Sequence, residues 1–354
     1  MKDNKTSLNK NGPFMGFWEK LPKPFFVLAP MAEVTDSAFR QMIAKYSRHG
    51  EVGGGPDVFW TEFVSCDGLM SPGREVLLRD LAYTEHEHPI VAQIFGGNPD
   101  TFLKTAELLA GLGFDGIDIN MGCPDRSIEK QGAGASLLKD PKRAQEIIRA
   151  TMAGAPNLPV SVKTRVGYNK EDLEPWIGNI LETKPAVITV HARTRKELSL
   201  VPARWEFVAR AVALAKGTGT LIIGNGDVQS IADAEEKVRA TGADGVMLGR
   251  AVFGNPWLFD RTRTNAEISL EEKFEVMIEH THLFEKLLGL KQPQLFARTG
   301  NPVLGGIKSF AVMKKHYKAY VHGFDGAKEI RTKLMDAEDA TEVEHIARAF
   351  LRAQ

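Results

Sequence analysis

The residue whose type and setting point most directly to chemistry is Cys123, which lies in a Gly-Cys-Pro turn after a short apolar segment. A thiol in such a turn is partly exposed, and the proline fixes the direction of the loop. It can therefore donate a proton, with a packing role as the structural alternative. Cys66 has no comparable setting, and we interpret it as a small apolar packing residue.

Three polar residues lie in other apolar segments of the same kind. Lys163 and His191 end two consecutive segments, and Gln93 lies in an earlier one. A cation beside a flavin stabilises the negative charge of the reduced ring, and an amide can hydrogen-bond the pyrimidine edge of that ring. Each residue taken alone has another explanation: Lys163 could be a solvated charge, Gln93 a capping amide and His191 a core histidine. The shared position of the three residues at one end of the predicted strands favours a flavin site.

Two glycine-containing stretches indicate phosphate binding. They are Gly224-Asn225-Gly226-Asp227 and Leu248-Gly249-Arg250-Ala251. Glycine lets a phosphate approach backbone amides closely, and arginine adds a positive charge. A simple tight turn explains the first stretch equally well when it is taken alone. The second stretch, on the neighbouring segment, favours phosphate.

The elements that position these residues follow a repeating pattern. From Phe25 onward, short apolar runs rich in β-branched residues alternate with segments of helical periodicity, as in βα units around a parallel sheet. The candidate strands are Phe25–Ala29, Val58–Phe63, Ile90–Phe95, Gly116–Asn120, Val160–Thr164, Val187–His191, Leu221–Gly224 and Gly245–Leu248. Roughly eight strands over about 240 residues predict an α/β fold, the (β/α)8 TIM barrel, whose active sites lie at the carboxyl ends of the strands.

Capping residues support the helices of this pattern. Asp36, Asn98, Asp140 and Ser230 each precede a helical segment, and proline follows two of them. Beyond Phe259 the strand pattern stops, and the segments 270–290 and 307–320 have the periodicity of amphipathic helices.

We predict three regions in the chain. Residues 1–24 form an N-terminal arm, whose first twenty residues we interpret as loose. Residues 25–262 form the catalytic barrel, and residues 263–354 form an all-helical domain, in which 292–306 connects helices.

Composition narrows the class of protein. The 354 residues carry 45 basic and 45 acidic side chains, so any surface for nucleic acid must be a local patch. The chain has only two cysteines, which predicts a reducing cytoplasm, and no Cys/His pattern typical of zinc. It has no apolar run long enough to cross a membrane. We also expect a monomer.

Taken in order, the motifs resemble those of the dihydrouridine synthases. The most specific is Asn120-Met121-Gly122-Cys123-Pro124. The others are Leu28–Asp36, Thr61–Ser65, Gln93–Gly96, Lys163–Gly167, His191–Arg195, Gly224–Asp227, Gly249–Ala251 and Met313–His316.

The resemblance implies FMN as the cofactor, with NADPH or NADH as the reductant. The residues that would hold FMN are Pro30, Met31, Ala32, Gln93, Lys163, His191, Asn225, Gly226, Asp227, Gly249 and Arg250. Asn120 and Arg193 would face the uracil, and Cys123 would be the acid. The implied reaction reduces the C5–C6 double bond of uridine in tRNA.

A base inside folded RNA must be extruded to reach the cofactor, so the helical domain should offer cations to RNA. Lys314 and Lys315 are the principal candidates, and Lys308, His316, Lys318, Lys328, Arg331 and Lys333 are the others. The chain departs from the family at Leu198–Pro202, where a glycine-containing stretch is common. Segments 50–56 and 292–306 resemble insertions, which we expect to influence the choice of RNA.

Three alternatives remain open. The same chemistry could act on rRNA, or an FMN barrel could act on a free pyrimidine, as a dihydroorotate-type dehydrogenase does. The last ninety or so residues argue against the free pyrimidine. A catalytically silent RNA-binding module is the third alternative, and the retention of Cys123 argues against it.

Overall fold

A computed structural model describes residues 12–263, 267–289, 294–296, 302–304 and 308–353. Its main sheet contains nine parallel strands, whose neighbours run in the order β1-β9-β8-β7-β6-β5-β4-β2, with β3 also paired to β4. The strands are β1 Phe25–Leu28, β2 Phe59–Trp60, β3 Val64–Ser65, β4 Ile90–Phe95, β5 Gly116–Met121, β6 Val160–Arg165, β7 Val187–His191, β8 Leu221–Asn225 and β9 Gly245–Leu248.

The sheet curls into a nearly closed barrel, and the predicted fold class is confirmed. Phe25 of β1 pairs with Gly245 of β9, which joins the first strand to the last. On the other side of β1, the amide of Leu28 donates to the carbonyl oxygen of Val58 at 3.3 Å. β2 and β3 share one barrel position because both pair with β4. The barrel thus has eight positions, as the TIM fold requires.

Helices surround the barrel and follow the predicted capping residues. The side chains of Asp36, Asn98, Asp140 and Ser230 all accept a backbone N–H at a helix start. The helices are α1 Ser37–Tyr46, α2 Cys66–Leu69, α3 Arg74–Asp80, α4 Pro99–Gly111, α5 Arg126–Glu129, α6 Pro141–Gly154, α7 Leu173–Leu181, α8 Glu206–Ala215, α9 Ile231–Thr241, α10 Leu270–Leu288, α11 Lys314–Tyr320, α12 Ala327–Asp336 and α13 Ala340–Leu351. Short 3₁₀ helices span Gly16–Lys20, Glu85–Glu87, Gly134–Lys139, Arg250–Val252 and Phe310–Met313.

The second predicted strand is interrupted in the structure. Val58–Phe63 was expected to be continuous, but only Phe59–Trp60 of it forms a strand, and Thr61, Glu62 and Phe63 separate β2 from β3. The hydroxyl of Thr61 accepts a hydrogen bond from the backbone amide of Gln93 on β4. The Glu62 carboxylate accepts one from the backbone amide of Glu33. These side chains take up backbone donors at the barrel mouth, so the strand breaks there.

The N-terminal segment is less loose than predicted. Residues 1–11 lie outside the described residues, but Gly16–Lys20 forms a 3₁₀ helix with Trp18 buried. The Trp18 ring centroid lies 5.5 Å from that of Phe25 and 5.9 Å from that of Trp60. Trp18, Phe25 and Trp60 belong to one buried cluster of barrel residues, and Phe25 is the first residue of β1, so Trp18 packs at the N-terminal end of the barrel.

The C-terminal region packs helices against the barrel. α10 contacts α1 and α13, and the buried side chains His280 and His316 pack against Phe39 of α1. The predicted helix 270–290 is found as α10, and 307–320 contains a 3₁₀ helix followed by α11. Most of the predicted connection 292–306 lies outside the described residues. Within it, Gln294–Phe296 and Pro302–Leu304 form an antiparallel pair, β10 and β11. The domain boundary near residue 262 stays a prediction.

The segment 50–56 lies away from the cavity, and its influence on the choice of RNA stays a prediction. It connects the end of α1 to the start of β2, and the amide of Arg261 donates to the carbonyl oxygen of Gly53 at 2.8 Å. Connections from a helix to the next strand lie at the N-terminal face of a TIM barrel, opposite the active-site face.

Candidate active site

A cavity of about 270 Å³ opens at the carboxyl ends of the barrel strands. Ten of the predicted site residues line it: Pro30, Met31, Lys163, His191, Arg193, Asn225, Gly226, Asp227, Gly249 and Arg250. Ala32 is exposed nearby in the β1–α1 loop but does not line the cavity. The structure therefore brings together side chains that are more than 200 residues apart in the chain, because parallel strands end at one mouth.

Cations dominate the electrostatics of the cavity. Burial and, to a smaller extent, the nearby guanidinium of Arg165 lower the pKa of Lys163 to about 8. Burial first, and then Arg165 and Lys163, hold the pKa of His191 well below its usual range, so this imidazole is neutral. The Lys163 ammonium donates to Oδ1 of Asn225 at 3.2 Å. Crowded positive charge in a partly dry cavity favours an anionic ligand.

The β8 turn, where the sequence predicts a phosphate cradle, is tightly packed at the wall of the cavity. Gly226 has φ +129, and a Cβ there would lie 2.7 Å from Cβ of Ala203. The carboxylate of Asp227 accepts from Arg193 and, at 2.6 Å, from Nη2 of Arg250. These arginines lower the pKa of Asp227, which stays ionised. Asp227 thus positions the two guanidinium groups, and exposed Arg250 remains accessible to an anion.

Gln93 and Asn120 belong to a buried polar chain beside the cavity. Nε2 of Gln93 donates to Asp118 at 2.6 Å, and Nδ2 of Asn120 donates to Oε1 of Gln93 at 3.1 Å. Ser161 donates to the other oxygen of Asp118 at 2.5 Å. Burial raises the pKa of Asp118 to about 6. Gln93 is fully buried, so these bonds fix its amide orientation.

The turn that carries Cys123 is held from three sides. Oδ1 of Asn120 accepts the amides of Gly122 and Cys123 at 3.1 and 2.9 Å. The amide of Ala135 donates to the carbonyl oxygen of Cys123 at 2.9 Å, and Nε of Arg165 donates to that of Gly122 at 2.8 Å. Burial raises the pKa of the Cys123 thiol, which therefore keeps its proton at neutral pH.

The predicted cationic surface of the helical region is smaller than expected. His316 is fully buried among aromatic rings, and Lys308 forms a nearly buried ion pair with Glu62, so neither belongs to a surface. Lys315 donates to the carbonyl oxygen of Glu33 at 2.9 Å, and Arg331 to that of Val321 at 2.8 Å. Of the other candidates, Lys314 is half-buried, and Lys318, Lys328 and Lys333 are exposed.

The sequence interpretation gave no role to several residues of the site. Asp118 and Arg165 were noted only as parts of motifs, yet they face the same side of β5 and β6 as Asn120 and Lys163. Strand alternation, with side chains at i and i+2 on one face, was the signal that would have found them. Ser199, which lines the cavity from the loop after β7, had no such signal.

Among the described residues, no three His, Cys, Asp or Glu side chains come together as a metal site would need. Within the same ranges, the helices are all too short or too polar to cross a bilayer.

The barrel and the cavity at its mouth define this protein as a (β/α)8-barrel enzyme. The sequence matches the family described as dihydrouridine synthase over residues 27–354. The chain belongs to the dihydrouridine synthase family and is an oxidoreductase, which confirms the predicted resemblance.

Relatives support this assignment along almost the whole chain. A probable tRNA-dihydrouridine synthase of Staphylococcus aureus strain Mu50 is 38% identical over 339 residues, which cover 95% of this chain and 94% of the relative. The probable tRNA-dihydrouridine synthase 2 of Bacillus subtilis strain 168 is 36% identical over 340 residues, covering 95% and 97%. Among solved structures, a 6-hydroxypseudooxynicotine amine oxidase from Pseudomonas geniculata N1 is 13% identical with a TM-score of 0.50. It covers 77% of this chain and 54% of that protein, and it shares the fold alone.

Proposed function

We propose that this chain is an FMN-dependent tRNA-dihydrouridine synthase that takes reducing equivalents from NADPH or NADH. The observation that carries the proposal is the position of Cys123, which does not itself line the cavity but lies on a hydrogen-bonded turn after β5, next to the strand whose Lys163 does. The names of the relatives favour tRNA over rRNA as the substrate.

The residues of the cavity fit the proposed cofactor. The backbone of the Gly226 turn, together with the exposed guanidinium of Arg250, suits a phosphate group. Lys163 and neutral His191 face the same cavity and suit the polar side of the ring, while Met31 contributes an apolar wall. Bound FMN, once reduced, supplies hydride-transfer chemistry for C6 of uracil.

The protein's own part in the reaction is to hold and deliver a proton. Cys123 carries the proton on Sγ, and C5 of uracil receives it as the C5–C6 double bond is reduced. Burial favours the neutral thiol, so the acid form is the one present before reaction. Asn120 holds the turn through Oδ1, and one hydrogen of its Nδ2 is not used by any described bond and can meet a uracil carbonyl.

Arg193 has a different part in the proposal from the one first predicted. Its guanidinium lines the cavity but already bonds Asp227, Nε2 of His191 at 3.0 Å and the carbonyl oxygen of Val201 at 2.6 Å. We infer that it mainly orders His191 and Asp227. Its contact with uracil stays a prediction.

The proposal is tested by reducing the flavin-loaded protein with NADPH in the absence of oxygen and adding unmodified tRNA. We expect tRNA to re-oxidise the flavin, and mass spectrometry to find a uridine that has gained two hydrogens. A response to free pyrimidines instead of tRNA would overturn the RNA assignment. A protein that binds no flavin would overturn the cofactor assignment.

Replacement of Gly226 by alanine should lower FMN affinity about tenfold or more, corresponding to about 1.4 kcal/mol or more. The added Cβ would lie 2.7 Å from Cβ of Ala203, and alanine would be strained at φ +129, so the turn that lines the cavity would have to shift. Fluorescence titration of FMN measures the dissociation constant. Gly217→Ala is the matched control, because its φ is +80 but its Cβ would meet nothing within 4 Å. Equal FMN affinity in both variants would contradict the cradle.

FMN affinity should also fall as the pH rises above about 8. The free protein holds Lys163 with a pKa of about 8, so the cation is present below that pH and is progressively lost above it. An anionic ligand raises this pKa on binding, so the affinity declines between about 8 and the higher bound value. Titrations at several pH values measure the effect. Lys163→Met should bind FMN weakly at every pH, and a decline of the same size in that variant would exclude Lys163 as its cause.

A further inference from the structure

The loop after β7, residues 196–202, which we call the rim loop, is fixed to the active site by two guanidinium groups. Nη1 of Arg165 donates to the carbonyl oxygen of Leu198 at 3.0 Å, and Nε of Arg193 donates to that of Val201 at 2.6 Å. Arg165 also holds the carbonyl oxygen of Gly122 in the thiol turn, at 2.8 Å. One guanidinium group, that of Arg165, therefore links the rim loop to the turn that carries the proton donor.

Two features of the rim loop lower the stability of the folded protein. Leu198 has φ +53, in the left-handed region that costs a side chain about 1–2 kcal/mol. Leu198 and Leu200 are also 40% and 82% exposed, which leaves apolar surface in water. Strain and exposed apolar surface in one rigid segment, at the edge of a site, indicate a contact made with a ligand.

The charges around the rim loop identify the kind of ligand. An ion pair between Arg195 and Glu129 joins the base of the loop to α5. Arg126 of α5, Lys130 directly after it and Lys196 of the loop are exposed, and none of the three forms an ion pair with a described residue. Exposed cations around an apolar tip match the phosphates and base faces of a nucleic acid.

We propose that the rim loop binds the RNA immediately next to the target uridine, with Leu200 packed on the base face that is uncovered when the uridine is extruded. Arg126, Lys130 and Lys196 bind the flanking phosphates. The loop thereby stabilises the extruded state, whose cost is the loss of base stacking. This inference rests on the proposed function, because it needs an RNA substrate.

The experiment compares tRNA kinetics of Leu200→Ser with those of the native protein. We expect KM for tRNA to rise about tenfold, the change that corresponds to losing a buried leucine contact. The rate at which NADPH reduces the flavin in the absence of RNA should not change, because the leucine faces solvent there. Val52→Ser is the matched control: Val52 is 95% exposed at the opposite face of the barrel, and its KM should stay native.

Salt dependence provides a second measurement. Lys130→Gln and Lys196→Gln should each remove one phosphate contact. Each should therefore reduce the slope of log affinity against log salt concentration by about 1. A native KM in Leu200→Ser, or the same rise in Val52→Ser, would overturn the rim-loop proposal while the proposed function stands. A native protein that does not respond to tRNA would instead overturn the proposed function.

Discussion

Cys123→Ala should lower the rate of tRNA-dependent flavin re-oxidation by a factor of about 10²–10⁴, the usual contribution of a positioned general acid. The alanine methyl carries no proton for C5, while the turn itself should persist, since its bonds come from Asn120, Ala135 and Arg165. FMN should therefore remain bound. Anaerobic stopped-flow absorbance measures the re-oxidation rate, and the visible spectrum of the purified variant measures the flavin content.

Cys66→Ala provides the control for this substitution. Cys66 is fully buried in the core, and burial raises the pKa of its thiol, so it is neither accessible nor reactive. This variant should lose some stability through a small cavity but keep its turnover. Near-native turnover in Cys123→Ala, or equal losses in the two variants, would remove the Cys123 thiol from the reaction.

Lys308→Met should lower the free energy of unfolding by about 3–5 kcal/mol near pH 8, as expected when one partner of a buried ion pair is removed. The side chains of Lys308 and Glu62 are 11% and 7% exposed, and Asp80 lies 3.6 Å from the same ammonium. Removing the cation leaves neighbouring carboxylates without a countercharge. Urea denaturation measures the loss. Lys23→Met is the control, because Lys23 pairs with Asp244 at the surface and such pairs contribute about 0–1 kcal/mol.

Acidification should partly rescue Lys308→Met. Burial already raises the pKa of Asp36 and of Asp80 to about 6, above the usual value of 3.8. A carboxyl group whose pKa is raised in the folded state stabilises the fold at low pH and loses that contribution as the pH rises through the folded pKa. Without Lys308 these pKa values rise further, so the deficit should shrink toward pH 5. A deficit of the same size at pH 5 and pH 8 would mean that lost packing, and not charge, is responsible.

Much of the barrel could be predicted because its signals are local. Ile90–Phe95 and Val187–His191 are strands with the predicted bounds, since both are apolar, rich in β-branched residues and buried on both faces. Capping by Asp36 and Asp140 depends on residues three positions away, and so it is visible in the sequence. The assembly of the cavity followed from topology, because all parallel strands end at one mouth.

The departures depend on contacts between distant parts of the chain. The break at Thr61 and Glu62 requires partners from β4, the β1–α1 loop and Lys308, none of which is close in sequence. Trp18 is buried because its ring packs against those of Phe25 and Trp60 at the N-terminal end of the barrel. Likewise, the burial of His316 is decided by α1 and α10 and not by its own helix. Local periodicity carries no information about such partners.

The pairing of β1 with β9 has a consequence for how the protein is made. Phe25 finds its strand partner, Gly245, only after some 220 further residues have been synthesised. At about 5–20 residues per second, this interval lasts roughly 10–40 seconds. During that time a fully apolar strand, Phe25–Leu28, has one edge without its final neighbour. The nascent chain thus carries an aggregation-prone edge through most of its translation, and we expect ribosome-associated chaperones to shield it until β9 emerges.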